Sequence, residues 1–599
     1  MSVSTLPHWD MTTVYPALDD PAFEQDVNQL VQSISDLSAF FDEHEIQSKD
    51  NVSVDAGVVS VFEQLVNKYN SVVEKQQTMG AYIMSFVTTN SRDTLAQSKM
   101  SMFQQHGVKM SMLGTRLTAW IGSMDVDALL QQSSVAQAHA FWLKKTKESA
   151  THLMSPQEEA LAAELHLTGG SAWSKLHGAV TSQMMVDVHT KDGIDTMPMS
   201  AVRNLASNAD RELRQAGYEA ELAAWEKTEV STAAALNGIK GQVSLLARKR
   251  GWDSPLDTAL FDSHIDRATL DAMMSAAKES FPDFRRYYKA KAKGLGLDKL
   301  TWYDLFAPLG DGRTWTYSEA ENFIIKQFGE YSEKLQGLAQ RAFSESWIDA
   351  EPRNGKRDGA FCMKIRNDES RILANFKPSY GSVSTLAHEL GHAYHNVNLA
   401  EKKTSFQRAN PMTLAETASI FCEALVQDAA LKNADSAEQL SILEASLQRD
   451  SQLVTDISCR FHFEKTVFKK RSERELSVDE FKSIMLEGQK LTFGDGVDES
   501  TYHPYMWAVK PHYYRAELSF YNYPYMFGRL FGLGLFARYK ADPEGFKSGY
   551  DDLLASTGIA DAAELAQRFD IDIRSPAFWT ASLDVIRADI NQFEALVKG

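Results

Sequence analysis

The 599-residue chain has little cysteine and no long hydrophobic run. Its three cysteines, Cys362, Cys422 and Cys459, are far apart and form no CxxC pair, which argues against a disulfide framework and fits a reducing compartment. No apolar stretch approaches the roughly 18 residues that a membrane-spanning helix needs. The N-terminus lacks the basic start and apolar core of a signal peptide. We therefore expect a cytoplasmic protein.

Positive charge is also scarce. Lysine and arginine number 62 against 80 aspartate and glutamate residues, which gives a formal net charge of −18. An acidic surface repels phosphate backbones and anionic lipid head groups, so we expect neither nucleic acid nor a membrane as a partner. The 44% hydrophobic and 24% charged content is typical of a folded protein and excludes a disordered one.

Proline is limited to 16 residues, and long segments carry apolar residues at spacings of three and four. This pattern predicts a mainly α fold. Two helix starts are indicated by capping-box sequences, Ser436-Ala-Glu-Gln439 and Ser477-Val-Asp-Glu480.

The predicted strand content is small. One candidate strand covers residues 178–189, and a hairpin pairs residues 359–365 with 371–376. Local glycine and proline residues suggest a boundary near residue 200. We expect an N-terminal helical domain at 1–200 and a second helical domain at 201–599.

The most informative motif is His388-Glu389-Leu390-Gly391-His392, an HExxH sequence. Residues four apart lie on one face of a helix, so the two imidazoles are predicted to hold one zinc ion. Glu389 projects from the same region and is placed to act as a base on water. The alternative is a pair of surface histidines on an amphipathic helix.

A third metal ligand is predicted downstream. Glu416 follows His392 by 24 residues and shares a helix face with Ser419 and Glu423. Glu423 either orients a ligand imidazole or is a solvated carboxylate. The spacing of His395 also allows a ligand. We favour a supporting or substrate-binding role for it, because Glu416 fills the third position and a fourth protein ligand would close the site.

The hairpin just before this helix is a candidate for binding an extended peptide. An exposed strand edge beside the metal would pair with a substrate main chain. Gly359 and Ala360, followed by Phe361, would allow close approach of that main chain. An ordinary hairpin that packs on the helix is the alternative.

Residues 502–525 hold seven of the 20 tyrosines, with His503 and His512. Phenol and imidazole groups donate hydrogen bonds to the oxyanion of a tetrahedral intermediate. An aromatic core segment is the competing interpretation, although buried phenols require hydrogen-bond partners.

Together, TLAHELGHAYH at 385–395, Glu416 in LAETAS, and PHYYRAELSFYNYPYMFG at 511–528 resemble the oligoendopeptidase F-like zinc metallopeptidases, relatives of thimet oligopeptidase. The resemblance implies an almost wholly helical, bivalved fold with a deep central channel and a small sheet beside the HExxH helix. It implies one zinc ion per chain, held by His388, His392 and Glu416, with Glu389 as the general base.

The resemblance also implies that His512 stabilises the oxyanion or binds substrate. Tyr521 and Tyr523 are expected to assist it, and Tyr514 and Tyr525 are candidate substrate contacts. The implied activity is internal cleavage of short unstructured peptides. The alternatives are an exopeptidase on the same scaffold and a non-catalytic helical protein that binds peptide or zinc. Whether the protein is a monomer or a homodimer is left open.

Overall fold

The structure, a computed structural model, describes residues 6–310, 312–366 and 368–598. It confirms the mainly α prediction. The helices are α1 (Pro21–Glu43), α2 (Ala56–Thr89), α3 (Thr94–Gly122), α4 (Val126–Gln132), α5 (Ser134–Ala138), α6 (Ala140–Ala150), α7 (Pro156–Thr168), α8 (Gly170–Ser182), α9 (Met199–Asn204), α10 (Arg211–Glu226), α11 (Glu229–Lys249), α12 (Pro255–Asp262), α13 (Arg267–Gly294), α14 (Tyr317–Tyr331), α15 (Glu333–Ser344), α16 (Tyr380–Leu399), α17 (Met412–Ala415), α18 (Thr417–Asn433), α19 (Ser436–Ser451), α20 (Ile457–Arg471), α21 (Val478–Thr492), α22 (Met506–Val509), α23 (Tyr523–Ala541), α24 (Pro543–Ala555), α25 (Ala562–Gln567) and α26 (Pro576–Lys598). The strands are β1 (Met185–Thr190), β2 (Gly193–Pro198), β3 (Ile348–Asp349), β4 (Phe361–Arg366) and β5 (Glu369–Leu373).

The chain forms two compact units. Unit 1 contains the described residues of Met1–Leu153, Thr314–Ala429 and Asp542–Arg568, and unit 2 contains those of Met154–Arg313, Ala430–Ala541 and Phe569–Gly599. The predicted boundary at residue 200 does not coincide with a boundary between these units. Each unit is assembled from three separated segments, and no glycine- or proline-rich linker in the sequence indicates where the chain passes from one unit to the other.

Unit 1 has a core built largely from its first helices. Phe23 and Leu30 of α1, Phe62 of α2 and Ile121 of α3 are fully buried in it. Ile365 of β4 packs into the same core. The small sheet of unit 1 is therefore attached to these helices through one face of β4.

The sheet of unit 1 has the order β3-β5-β4. Strand β4 runs antiparallel to β5, with Phe361 opposite Leu373, and β3 pairs in parallel with β5. The predicted hairpin is thus present, and β4 is its edge strand. The two-residue strand β3 was too short to be predicted.

Unit 2 has its own aromatic core, which includes Phe463, Trp507 and Tyr513. Its hairpin joins β1 to β2. The predicted strand at 178–189 was right only in its second half, because residues up to Ser182 continue helix α8. The buried His177 of α8 hydrogen-bonds the carbonyl of Ala508 at 2.8 Å, so tertiary contacts hold this end as a helix.

The two predicted capping boxes have different outcomes. Ser477 and Glu480 form the reciprocal pair of hydrogen bonds expected at the start of α21. At α19 the cap is Asp435 instead, whose carboxylate accepts the N–H of Glu438. Aspartate is an equally good cap, and here it stands one residue before the serine. No helix in the described ranges is long and apolar enough to cross a membrane.

Candidate active site

Helix α16 carries the HExxH sequence with one face in the core. Leu386 and Leu390 are fully buried on that face. The side chains of His388 and His392 are 25% and 23% exposed. The helical spacing therefore separates a packed face from a face on which both imidazoles are accessible.

The glycine of the motif allows a close helix contact. A Cβ atom at Gly391 would lie 2.5 Å from Cα of Ser419 and 2.6 Å from the carbonyl oxygen of Ala418. Only a residue without a side chain fits at these distances, so Gly391 lets the start of α18 touch α16. This contact was not predicted. It brings the segment that carries Glu416 next to the two histidines.

Glu416 lies in the turn between α17 and α18. Its Oε2 atom is 3.3 Å from Nε2 of His388 and 3.4 Å from Nε2 of His392. The hydroxyl of Ser419 donates a hydrogen bond of 2.7 Å to the same oxygen. The candidate ligand atoms of His388, His392 and Glu416 all lie within 4.8 Å of one another. Two imidazole nitrogens and one carboxylate oxygen are the donor set of a catalytic His₂Glu zinc site, so these residues fit the predicted metal.

Glu423 lies behind His388. Its Oε2 atom is 3.4 Å from Nδ1 of His388, and its side chain is 1% exposed. Such burial does not agree with a solvated carboxylate. The position fits a group that fixes the ring orientation of His388 and leaves Nε2 facing Glu416.

Glu389 is 5% exposed, and its Oε2 atom is buried without a hydrogen-bond partner. Burial raises the pKa of this carboxyl to about 7, against the opposing charge of His388 and the main-chain N–H of Cys362 in β4. A buried carboxylate oxygen with no partner is costly in a purely structural position and suits a group that exchanges protons.

The ligand residues also show the charge pattern of a cation site. Burial alone would lower the pKa of His388, but hydrogen bonds to Glu416 and Glu423 outweigh it and raise the pKa. Burial would raise the pKa of Glu416, but His388 and His392 lower it, so this carboxylate stays ionised. Burial and the charge of His388 lower the pKa of His392 to about 4, so the ionised Glu416 lies between one charged and one neutral imidazole.

His395 lies in the interior of unit 1. The residue is 2% exposed, and its Nε2 atom hydrogen-bonds the hydroxyl of Thr557 at 2.9 Å. Burial is the main cause that lowers its pKa to about 4. The contact with Thr557 fits the supporting role considered for His395, and its substrate contact stays a prediction.

The residues predicted to approach a substrate main chain lie at the start of the edge strand. Gly359 and Ala360 precede β4, and Phe361 is its first residue. Gly359 has a φ of +81°, a left-handed backbone conformation that favours glycine. No atom lies within 4 Å of the position that a Cβ atom would occupy there. Its carbonyl accepts a 2.9 Å hydrogen bond from Asn375. This anchors the segment to the chain just after β5.

In the tyrosine-rich segment, His512, Tyr521 and Tyr525 form one cluster in unit 2. The rings of His512 and Tyr521 are 5.8 Å apart, and the hydroxyls of Tyr521 and Tyr525 hydrogen-bond each other. The Nε2 atom of His512 is buried without a hydrogen-bond partner. Burial, with the charges of Arg460 and Lys240 among others, lowers the pKa of His512 to about 2, so the imidazole is neutral.

Two of the predicted tyrosines lie in the core instead. Tyr523 is 1% exposed and donates its hydroxyl to the carbonyl of Ala259 at 2.9 Å. Tyr514 is also 1% exposed, and its ring stacks on His177 with the centroids 3.6 Å apart. The catalytic role of Tyr523 and the substrate contact of Tyr514 stay predictions. Both are interior residues of unit 2.

The fold and the His–His–Glu cluster around an HExxH sequence define a peptidase of the metallopeptidase class. The family model described as "Peptidase family M3" matches residues 204–585, and that described as "Oligopeptidase F" matches residues 121–185. The chain therefore belongs to peptidase family M3.

Curated relatives and solved structures agree with this assignment. The chain is 24% identical to the group B oligopeptidase PepB of Streptococcus agalactiae, over 98% of this chain and 97% of that protein. It is 24% identical to the oligopeptidase PepF of Bacillus subtilis, over 79% and 72% of the two chains. The fold matches oligoendopeptidase-F from Enterococcus faecium with a TM-score of 0.69 at 15% identity, over 97% of this chain and 100% of that one.

Proposed function

We propose that this peptidase is a zinc-dependent oligoendopeptidase that hydrolyses internal bonds of short, unstructured peptides. The observation that carries the proposal is the meeting of His388, His392 and Glu416 within 4.8 Å. Beside them lies a buried carboxylate, Glu389, with an unpartnered oxygen. This combination suits hydrolysis better than metal storage, because storage has no use for a base next to the metal.

The proposed metal ligands are Nε2 of His388, Nε2 of His392 and Oε2 of Glu416. A zinc ion held there supplies a Lewis acid that polarises the scissile carbonyl and acidifies water. The partial exposure of the three ligand side chains, 19% to 25%, leaves room for water and substrate. Glu423 at Nδ1 of His388 and the Ser419 hydroxyl at Glu416 hold two of the ligands in orientation.

Glu389 is the proposed general base. Its carboxylate takes a proton from water as the oxygen attacks the scissile carbonyl carbon. The protonated carboxyl then delivers that proton to the leaving nitrogen when the carbon–nitrogen bond breaks. One group thus serves both proton transfers, and no other buried acid is required.

Substrate binding is proposed to use main-chain pairing along the start of β4, which would make the enzyme indifferent to most side chains. The role of His512, with Tyr521, as a donor to the oxyanion comes from the sequence resemblance. The neutral state of His512 and its unpartnered Nε2 atom support a donor function.

The experiment uses quenched peptides of increasing length that are blocked at both termini, with products identified by mass spectrometry. We expect internal cleavage of short peptides, loss of cleavage with a chelator, and recovery on adding zinc. Cleavage confined to peptides with a free terminus would replace the proposal with an exopeptidase. Stoichiometric retention of peptide by the zinc-loaded protein, without turnover, would replace it with a binding protein.

A further inference from the structure

Unit 2 contains a cavity of about 580 Å³ that takes no part in the proposed chemistry. It lies where the C-terminal parts of α11 and α20 meet the start of α12. Its lining includes five cationic side chains and one carboxylate: Arg248, Arg267, Lys465, Lys469, Arg471 and Asp253. A local excess of positive charge is unexpected in a chain with a net charge of −18.

The existing ion pairs do not neutralise this excess. Arg267 pairs with Asp257 at 2.7 Å, and Arg471 lies 3.6 Å from Glu475. Within the described ranges, Arg248, Lys465 and Lys469 have no carboxylate at ion-pair distance, although their side chains line one cavity. Cations that share a cavity repel one another unless an anion lies between them.

A structural explanation covers only part of this set. Arg248, Lys469 and Arg471 lie in or near the last turns of α11 and α20, where positive charge favours the helix dipole. Lys465 is more than a turn before the end of α20, so the dipole does not account for it. Nor does the dipole explain why both helix ends face the same cavity.

The cavity lining also includes aromatic side chains. Trp252, Phe468 and Phe520 line the cavity together with the cations. A volume in the range of small-molecule sites and a lining that combines cationic groups with aromatic rings are features of a pocket for an organic anion.

We propose that this cavity binds a multiply charged anion, of the chemistry shared by polyphosphates and acidic peptides. The Arg248, Lys465 and Lys469 side chains would contact the anionic groups directly, because none of them forms an ion pair with a carboxylate of the described residues. The proposal does not depend on the metal centre, since every residue of the cavity belongs to unit 2 and the candidate ligands belong to unit 1.

The experiment measures binding of tripolyphosphate to the full-length protein by titration calorimetry. We expect saturable binding of one anion per chain that weakens as sodium chloride is raised. The double variant Lys465→Glu/Lys469→Glu should weaken binding by about tenfold or more. The matched control is Lys470→Glu, which changes the next residue of the same helix but does not line the cavity. It should bind like the wild type.

The absence of saturable binding would overturn the proposal, as would an equal loss in the Lys470→Glu control, which would indicate diffuse surface charge. Circular dichroism of each variant checks that it is folded. Arg248→Glu, with Lys249→Glu as its control, repeats the test from helix α11 if the double variant does not fold.

Two further ligands, ATP and a peptide of four glutamates, distinguish a phosphate compound from an acidic peptide as the bound anion. Binding of ATP that depends on Lys465 and Lys469 points to a phosphate compound, and binding of the peptide points to acidic peptides. Because these measurements read binding and not turnover, a failure of the peptidase proposal would leave them unchanged.

Discussion

The candidate metal cluster in unit 1 and the histidine–tyrosine segment in unit 2 differ in how far sequence spacing fixes position. The metal cluster is built on helix α16 and on the turn just before α18, and its ligand atoms lie within 4.8 Å. The segment at 502–525 contains short helical turns and loops, and five of its seven tyrosines are buried. A helix converts a spacing of four into a shared face, whereas an irregular segment does not.

The two regions also differ in the neighbouring groups that contact their functional side chains. In unit 1, one hydroxyl, one buried carboxylate and one glycine contact support the ligands. In unit 2 most tyrosine hydroxyls have structural partners, as Tyr523 has in Ala259. Tyr521 differs in that its side chain is only partly buried and its hydroxyl bonds another phenol, that of Tyr525.

The largest expected effect comes from removing a ligand in unit 1. His392→Ala should lose bound zinc and reduce kcat/KM by about 10³-fold or more, because the metal supplies several kcal/mol of transition-state stabilisation. Metal analysis measures the bound zinc, and a peptide hydrolysis assay measures kcat/KM. The exposed His189→Ala serves as a control and should match the wild type. Full metal content in His392→Ala would remove this residue from the ligand set.

The tyrosine comparison is tested by a matched pair of hydroxyl deletions. Tyr521→Phe should lower kcat by about 10²- to 10³-fold if its phenol donates to the oxyanion. Tyr523→Phe should leave kcat unchanged and lower the free energy of unfolding by about 1 kcal/mol, because it loses the hydrogen bond to Ala259. Steady-state kinetics measures the effect of each variant on kcat, and denaturant unfolding measures its effect on stability. The reverse pattern would show that the assignment by burial is wrong.

A smaller effect is expected behind the metal cluster. Glu423→Gln keeps the shape of the side chain but removes the charge beside Nδ1 of His388, and it should weaken zinc affinity by about 10- to 100-fold. Competition with a fluorescent chelator measures this change. The exposed Glu43→Gln is the control. Unchanged zinc affinity in Glu423→Gln would mean that the carboxylate has no orienting role.

Several features could be predicted from sequence because local patterns carry them. The mainly α fold follows from apolar spacing, the β4–β5 hairpin from two runs around a polar turn, and the convergence of His388 with His392 from helical periodicity. Glu416 was identified as a candidate ligand, although the sequence did not indicate that it lies in a turn between two helices.

Other features depend on tertiary contacts that no local pattern encodes. The division into two discontinuous units brings together segments up to several hundred residues apart. The role of Gly391 depends on the close approach of Ser419, and the burial of Tyr514 depends on its stack with His177. For His395, the helix face that it shares with His392 did not indicate that its ring hydrogen-bonds Thr557.

The central claim is that Glu389 acts as the base of a metal centre held by other residues. Glu389→Gln is nearly isosteric, so measuring both its zinc content and its turnover of a doubly blocked peptide tests that claim most directly. The account predicts one zinc ion per chain, as in the wild type, with kcat lowered by about 10²- to 10⁴-fold. Near-wild-type turnover in the zinc-loaded variant would contradict it.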